Sequence, residues 1–223
     1  MYDDLIKAKK ILNNSKIQVN DPWDIVEGFE KLVAKYAGSK YAVAIDSCTN
    51  AMFLCLKYLN AEGEVEIPKR TYLSVPQLII HAGCTPKFVD LDWKGIYQLK
   101  PYPIIDSATR FTKGMYVKGT YQCLSFHIRK NLPIAKGGMI LTDNKDAHDW
   151  FKEAEYEGRN RRVPHDEMPE PSICGWNMYM PPEQAARGII LFNELPDMND
   201  DTGGSWKYKD ISKWKIFKKN ETE

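Results

Sequence analysis

The sequence predicts an α/β domain built around a mostly parallel β-sheet. Short apolar runs alternate with helical patterns along residues 1–195, and this alternation is typical of such a sheet. With 43% hydrophobic residues among 223, the chain can bury a core and is not a disordered chain. After Pro196 the composition changes to MNDDTGG and a Lys- and Trp-rich end. We therefore expect a large domain over residues 1–195, with an N-terminal helical arm, and a short, loosely ordered tail over residues 196–223.

Each element is predicted from its local pattern. A first firm helix begins at Pro22, after Asp21 as N-cap, and ends at Gly38, because its apolar residues keep a 3.6-residue period. Further helices are predicted over residues 50–59, 77–82, 146–156 and 181–192. Strands are predicted over residues 41–45, 65–68, 87–89, 102–105, 123–126 and 138–142.

Charge and composition exclude several classes of function. Lys and Arg number 31 against 30 Asp and Glu, and the net charge of +1 attracts neither nucleic acid nor an anionic membrane. No apolar run reaches the roughly 18 residues of a membrane span, and the polar start MYDDLIKAKK does not resemble a signal peptide. The five cysteines are scattered and form no CxxC pair, so neither disulfides nor a metal site is predicted. A cytoplasmic protein is expected.

Polar residues follow three predicted strands, and α/β sheets bind ligands at the carboxyl ends of their strands. The segment Asp-Ser-Cys-Thr at 46–49 opens a helix, whose free backbone N–H groups suit a phosphate. A plain N-cap by Ser47 or Thr49 is the alternative there. Asp106 ends the run YPII, where a buried carboxylate needs a partner such as a metal, Arg110 or a protonated ring nitrogen. A structural salt bridge or turn is the alternative for Asp106.

The third strand end carries Ser125 and, five residues later, Lys130. A lysine in such a turn can lose its solvent, which lowers its pKa and leaves a nucleophilic amine; a solvated surface charge is the alternative. The three strand ends together meet the needs of pyridoxal phosphate. The cofactor requires donors for its phosphate, an amine for its aldehyde and an anion that keeps its ring nitrogen protonated.

Several segments, from about Pro22 to Leu195, resemble the DegT/StrS-type pyridoxal-phosphate-dependent nucleotide-sugar aminotransferases. They are FEKLVAKYAGSKYAVAIDSCTNAM, IPKRTYLSVPQLIIHAGCTPKFVDLD, IIDSATRF, LSFHIRKNLPIAKGGMILTDN and GWNMYMPPEQAARG. The resemblance implies the large domain of a fold-type-I pyridoxal-phosphate transferase whose C-terminal small domain is largely missing. It also implies a homodimer that transfers an amino group from an amino acid, glutamate by expectation, to a keto-sugar nucleotide in polysaccharide biosynthesis.

The resemblance assigns roles to individual residues. Lys130 stands at the Schiff-base position and is the implied catalytic residue. Tyr72 is implied to stack on the cofactor ring, Asp106 to bind its nitrogen, and Asn177 to reach the phosphate of the neighbouring subunit. The full set of implied cofactor contacts is Cys48, Thr49, Tyr72, Asp106, Thr109, Ser125, Lys130 and Asn177.

The chain also departs from the family pattern. Between Asp92 and Tyr102 a strand–helix unit is missing, and Thr109 stands where glutamine is usual. These departures, with the short tail, leave a second hypothesis open. In it the chain is a non-catalytic domain that keeps the fold and serves as a binding or interaction subunit.

Two segments are candidates for closing the substrate side of the site, the basic loop over residues 158–171 and the tail after Pro196. Arg159, Arg161 and Arg162 lie within GRNRRVPHDEMPEP, after the helix that follows the lysine strand. Three guanidinium groups suit a carboxylate or pyrophosphate, so an anion-binding lid is predicted. A solvated basic loop is the alternative.

Overall fold

The computed structural model describes residues 2–217; residues 218–223, the end of the predicted tail, lie outside the described part. The strands are β1 Tyr41–Ile45, β2 Glu64–Pro68, β3 Thr85–Val89, β4 Tyr97–Leu99, β5 Ile104–Asp106, β6 Tyr121–Ser125 and β7 Gly138–Thr142. The helices are α1 Tyr2–Asn14, α2 Pro22–Ala37, α3 Cys48–Tyr58, α4 Ser74–His81, α5 Lys145–Ala154 and α6 Pro182–Phe192. The predicted α/β class is confirmed. None of these helices is long and apolar enough to cross a membrane.

The main sheet is mixed, so the prediction of a mostly parallel sheet is wrong. Five strands lie in the order β1-β7-β6-β5-β4, while β2 and β3 form a separate parallel pair. Within the five-stranded sheet, β5 and β6 are parallel and every other neighbouring pair is antiparallel. The reason for the β4–β5 pair is its short connection, residues 100–103, because parallel neighbours need a crossover of a dozen or more residues.

Two apolar layers cover the two faces of this sheet. Val43 and Ile45 in β1 pack into one layer with α3, α4 and α5, whereas Ala42 and Ala44 pack into the other with α1, α2 and α6. This division follows from the two-residue period of a strand, which sends successive side chains to opposite faces. The sheet is therefore buried on both sides, and the carboxyl ends of β1, β5 and β6 lie at the same edge of it.

The tail is packed against the domain as far as residue 217, which differs from the loosely ordered extension that its composition predicts. The amide of Ser205 donates to the carbonyl oxygen of Trp93 over 2.9 Å, and Ile211 is buried. Gly204 allows this close approach, because an added Cβ would lie 2.5 Å from the same carbonyl oxygen of Trp93. A polar, glycine-rich sequence here produces tight backbone packing and not an extension into solvent.

Candidate active site

The turn between β1 and α3 presents backbone donors at a helix N-terminus. Ser47 is the N-cap, and its Oγ accepts the N–H of Asn50 over 3.2 Å. Within residues 2–217, the backbone N–H groups of Cys48 and Thr49 donate to no acceptor. The Thr49 hydroxyl is hydrogen-bonded to that of Ser74 over 2.7 Å. Free N–H groups and the positive end of the helix dipole make this turn suited to a phosphate.

Gly138, at the start of β7, positions this turn. An added Cβ would lie 2.4 Å from the backbone nitrogen of Cys48 and 2.4 Å from the carbonyl carbon of Ser47. The sequence analysis did not identify this residue. The adjacent glycines in KGGM were the available signal, because glycine in a strand marks a close approach of another backbone.

Gly138→Ala is expected to lower the free energy of unfolding by about 3 kcal/mol or more, since the new methyl group meets backbone that has no free volume. Denaturant unfolding measures this loss. Gly119→Ala is the control: it has open space and a φ of +81°, so it adds only left-handed strain of about 1 kcal/mol. Equal losses in the two variants would contradict the packing of β7 against the turn.

Asp106 is buried at the end of β5 and is held by two hydrogen bonds. Its Oδ1 accepts the backbone N–H of Ala108 over 2.8 Å, and its Oδ2 accepts the hydroxyl of Tyr97 over 2.5 Å. The Tyr97 hydroxyl is in turn 2.6 Å from that of Thr71. Burial raises the pKa of Asp106, while the two hydrogen bonds and the positive charge of Lys130 oppose this rise.

Arg110, one partner predicted for Asp106, is engaged elsewhere. Its Nε and one Nη donate to the two carboxylate oxygens of Asp201 over 2.8 and 2.7 Å. The Asp106 carboxylate therefore faces no paired cation within residues 2–217, and the structural salt bridge is not formed. A protonated ring nitrogen remains compatible with this environment.

Tyr97 was missed by the sequence analysis, because the predicted strands did not include β4. We expect Tyr97→Phe to raise the pKa of Asp106 further, since the lost hydroxyl stabilises the anion. The acid limb of the pH profile of pyridoxal phosphate binding should then move to higher pH. Tyr102→Phe is the control, because the Tyr102 hydroxyl bonds to the backbone of Glu62. An unchanged profile in Tyr97→Phe would contradict the proposed effect of this hydrogen bond.

Lys130 lies in the turn after β6, where its backbone N–H donates to the carbonyl oxygen of His127 over 2.9 Å. Its Nζ forms no ion pair or hydrogen bond with residues 2–217. Burial lowers the pKa of Lys130; Asp106 and Cys48 oppose this effect, and the nearby charge of Lys207 adds to it. A lowered pKa increases the fraction of the amine that is neutral and nucleophilic, and the partial burial of Lys130 differs from the solvated surface charge that was the alternative.

Three other predicted contacts have the following surroundings. Tyr72, in the loop between β2 and α4, is 62% exposed and so has a ring face free for stacking. The Oγ of Ser125, at the end of β6, accepts the N–H of His127 over 3.4 Å. Asn177 is exposed and its Nδ2 donates to Glu157 over 3.0 Å. The expected reach of Asn177 into a neighbouring subunit stays a prediction.

Thr109 is placed differently from its predicted role. Its buried hydroxyl donates to the carbonyl oxygens of Gly95 and Gly203, over 3.0 and 3.2 Å. The single hydroxyl proton is thus shared between two backbone acceptors. Thr109 fastens the tail to the domain, and its contact with the cofactor ring stays a prediction.

Arg161 is buried and paired, which contradicts its predicted place in an anion-binding lid. Its Nη1 donates to Glu155 over 3.1 Å, and its guanidinium lies over the ring of Trp23 at 4.8 Å. Burial raises the pKa of Glu155 to about 8, against the lowering effects of Lys152 and Arg161. The guanidinium is therefore committed to a buried carboxyl group of its own chain.

Arg159 and Arg162 are also paired with carboxylates. One Nη of Arg162 donates to Asp24 over 2.6 Å and to Glu27 over 2.8 Å, and the Nε of Arg159 lies 3.4 Å from Glu157. The loop is thus fastened to α2 by ion pairs. These pairs do not favour the anion-binding lid, and the place of Arg159 and Arg162 in it stays a prediction.

The site residues fall within the part of the chain that a family description matches. The sequence description of the DegT/DnrJ/EryC1/StrS aminotransferase family matches residues 3–118 and 116–208. The chain belongs to this family. The family resemblance in the sequence is thereby confirmed, and it extends to nearly the whole described chain.

This DegT/DnrJ/EryC1/StrS chain is similar to the spore coat polysaccharide biosynthesis protein SpsC of Bacillus subtilis (strain 168). The two are 27% identical over 224 aligned positions, which cover 78% of this chain and 57% of SpsC. An uncharacterised protein of Methanocaldococcus jannaschii, MJ1066, is 26% identical, over 72% of this chain and 55% of its own length. The chain therefore spans little more than half the length of these relatives.

Solved structures share the fold. DesI, crystallised with its TDP-sugar product, has a TM-score of 0.63 at 20% identity, covering 88% of this chain and 59% of DesI. NtdA of Bacillus subtilis with bound cofactor PMP has a TM-score of 0.66 at 20% identity, covering 87% of this chain and 53% of NtdA. The predicted fold-type-I transferase architecture is thus confirmed, with the mixed sheet described above.

The residues present fit pyridoxal phosphate. One end of the space offers the free N–H groups of Cys48 and Thr49, which match a phosphate. The buried Asp106 carboxylate matches a protonated ring nitrogen, and the unpaired Lys130 amine matches an aldehyde. Tyr72 supplies an accessible aromatic face.

Proposed function

We propose that this chain binds pyridoxal phosphate and transfers an amino group from an amino acid, glutamate, to a keto-sugar nucleotide. The observation that carries the proposal is the relation between Lys130 and Asp106. An unpaired amine with a lowered pKa lies within the field of a buried carboxylate that has no cation of its own. A domain that only kept the fold would gain stability by losing both groups, because burying charge is costly.

In this proposal residues 1–195 form the cofactor-binding domain. The N–H groups of Cys48 and Thr49 hold the phosphate, and Ser125 adds a hydroxyl to it. Asp106 keeps the ring nitrogen protonated, and Tyr97 holds Asp106 in position. The N–H groups of Cys48 and Thr49 donate to no acceptor within residues 2–217, and the Tyr97 hydroxyl already donates to Asp106. The Ser125 hydroxyl accepts the N–H of His127 and can still donate its own proton.

Lys130 performs the proton transfers. When bound, pyridoxal phosphate supplies an aldehyde for covalent attachment and a ring that accepts the electron pair released at the Cα of the amino acid. The Nζ of Lys130 holds the cofactor in the resting protein. The same Nζ would be the base that takes the proton from the Cα of the amino acid and the acid that gives it back. Its lowered pKa favours this, because the amine must be neutral to accept a proton.

Further observations support the proposed keto-sugar nucleotide substrate and the proposed homodimer. The name of SpsC refers to spore coat polysaccharide biosynthesis, and the DesI structure contains a TDP-sugar. A homodimer would allow Asn177, exposed on one subunit, to reach the phosphate turn of its neighbour. The Sγ atoms of Cys55 and Cys123 lie 3.7 Å apart as thiols, which suits a reducing compartment such as the cytoplasm.

A two-step assay tests the proposed function. The protein loaded with pyridoxal phosphate is mixed with glutamate, and release of 2-oxoglutarate is measured in a single turnover. A keto-sugar nucleotide is then added, and the amino sugar is detected by mass spectrometry. The proposal predicts both products. Cofactor binding without release of the corresponding 2-oxo acid from any of a panel of amino acids would favour the non-catalytic binding subunit instead.

A further inference from the structure

The tail of the chain is fastened beside the candidate site by polar contacts to two neighbouring segments, the β5–β6 and β3–β4 connections. Asp201 accepts two hydrogen bonds from Arg110, and its side chain is 9% exposed. The amide of Thr202 donates to the carbonyl oxygen of Thr109 over 2.8 Å. These contacts, together with that of Ser205 to the β3–β4 connection, fix the path of the backbone up to Tyr208.

The ring of Tyr208 joins an aromatic wall that leads to Asp106. It is stacked on Trp93, with ring centroids 5.7 Å apart and planes inclined by 24°. Trp93 contacts Tyr97 at 4.7 Å, and Tyr97 donates its hydroxyl to Asp106. On its other side Tyr208 faces Tyr72 at 6.5 Å, with planes inclined by 69°. Tyr208 therefore lies between the two groups expected to hold the cofactor ring, Tyr72 and Asp106.

The hydroxyl of Tyr208 makes no hydrogen bond with residues 2–217. Burial raises the pKa of Tyr208 to about 12, and the negative charge of Asp106 and the groups of Tyr72 and Cys48 add to this. The phenol is thus neutral near pH 7 and is a hydrogen-bond donor. The described residues offer this donor no acceptor, so an oxygen of a bound ligand can accept its hydrogen bond.

We infer that the tail supplies Tyr208 as a binding residue of the candidate site, closing the space between Tyr72 and Asp106 and donating its hydroxyl to an oxygen of the bound cofactor. The cofactor part of this inference rests on the proposed function. The closing of the space is a property of the protein alone. Two measurements, one without and one with ligand, therefore separate the two parts.

The first measurement needs no ligand. Cys48 is buried beneath the site, and its reaction with iodoacetamide, mapped by peptide mass spectrometry, reports how well the site is covered. Tyr208→Ala should raise the labelling rate of Cys48 about tenfold, whereas Tyr208→Phe should leave it unchanged because the ring remains. Trp206→Ala is the matched control, since Trp206 is an aromatic residue of the same tail that is 62% exposed. Equal rates in Tyr208→Ala and the parent would overturn the covering role.

The second measurement is the dissociation constant of pyridoxal phosphate, obtained by equilibrium dialysis. Tyr208→Ala should raise it about tenfold, because an aromatic wall and a hydrogen bond are both lost. Tyr208→Phe should raise it by a smaller factor, and Trp206→Ala should not change it. Tighter binding by Tyr208→Ala would mean that the ring occupies the cofactor's place, which overturns the inference. If the parent itself binds no pyridoxal phosphate, the proposed function and the hydroxyl contact both fail, and the Cys48 measurement still decides the covering role.

Discussion

Lys130→Ala is expected to abolish covalent attachment of pyridoxal phosphate and to leave the protein folded. The methyl side chain of alanine carries no amine, so no bond to the aldehyde can form. The lysine lies in a turn, and burial lowers the pKa of its amine more than the nearby charge of Asp106 raises it, so its removal should cost the fold little. The measurement is the amount of cofactor that stays bound through borohydride reduction and denaturing gel filtration, with circular dichroism as the check of folding.

Lys118→Ala is the matched control for this prediction, because Lys118 is an exposed lysine away from the site. It should retain the parental amount of reduced cofactor. Undiminished covalent labelling in Lys130→Ala would remove Lys130 from its proposed role. Unfolding of the variant would contradict the claim that the lysine contributes little to stability, and Lys130→Arg, which keeps the bulk and charge, would then carry the test of attachment.

Asp106→Asn is expected to keep cofactor binding and to slow amino transfer by about a hundredfold or more. The amide has the shape of the carboxylate but lacks its negative charge, so it cannot keep the ring nitrogen protonated. Because burial already raises the pKa of Asp106, loss of the charge should not lower the free energy of unfolding. Single-turnover release of 2-oxoglutarate gives the rate, and denaturant unfolding gives the stability.

Asp166→Asn, at an exposed loop position, is the control and should react at the parental rate. A rate for Asp106→Asn within a few-fold of the parent would contradict the role of the carboxylate. Complete loss of cofactor binding would show instead that Asp106 acts mainly in binding, which the present account does not predict.

Local signals predicted much of the fold. Helix α2 forms between its predicted ends, because Asp21 accepts the N–H of Trp23 and Gly38 adopts a φ of +90°. The bounds of β1 and β7 agree with the prediction, since both are short apolar runs buried on two faces. Asp106 and Lys130 could be predicted as site residues because each follows a short apolar run that forms a buried strand.

Long-range contacts could not be read from local patterns. Strand β4 has only three residues, and its pairing with β5 depends on the short connection between them. The path of the tail depends on Arg110 meeting Asp201, residues that are far apart in the sequence. The pairing of Arg161 with Glu155 could not be predicted. Glu155 belongs to a predicted helix whose pattern gives no sign that this carboxyl group is buried.

The most direct test of the central claim is to map the lysine that pyridoxal phosphate modifies. The protein is incubated with the cofactor at a concentration close to that of the chain, reduced with borohydride, digested and analysed by mass spectrometry. The account predicts a single pyridoxyl group, on the peptide that contains Lys130. Modification spread over exposed lysines, or confined to Lys207 in the neighbouring tail, would contradict it.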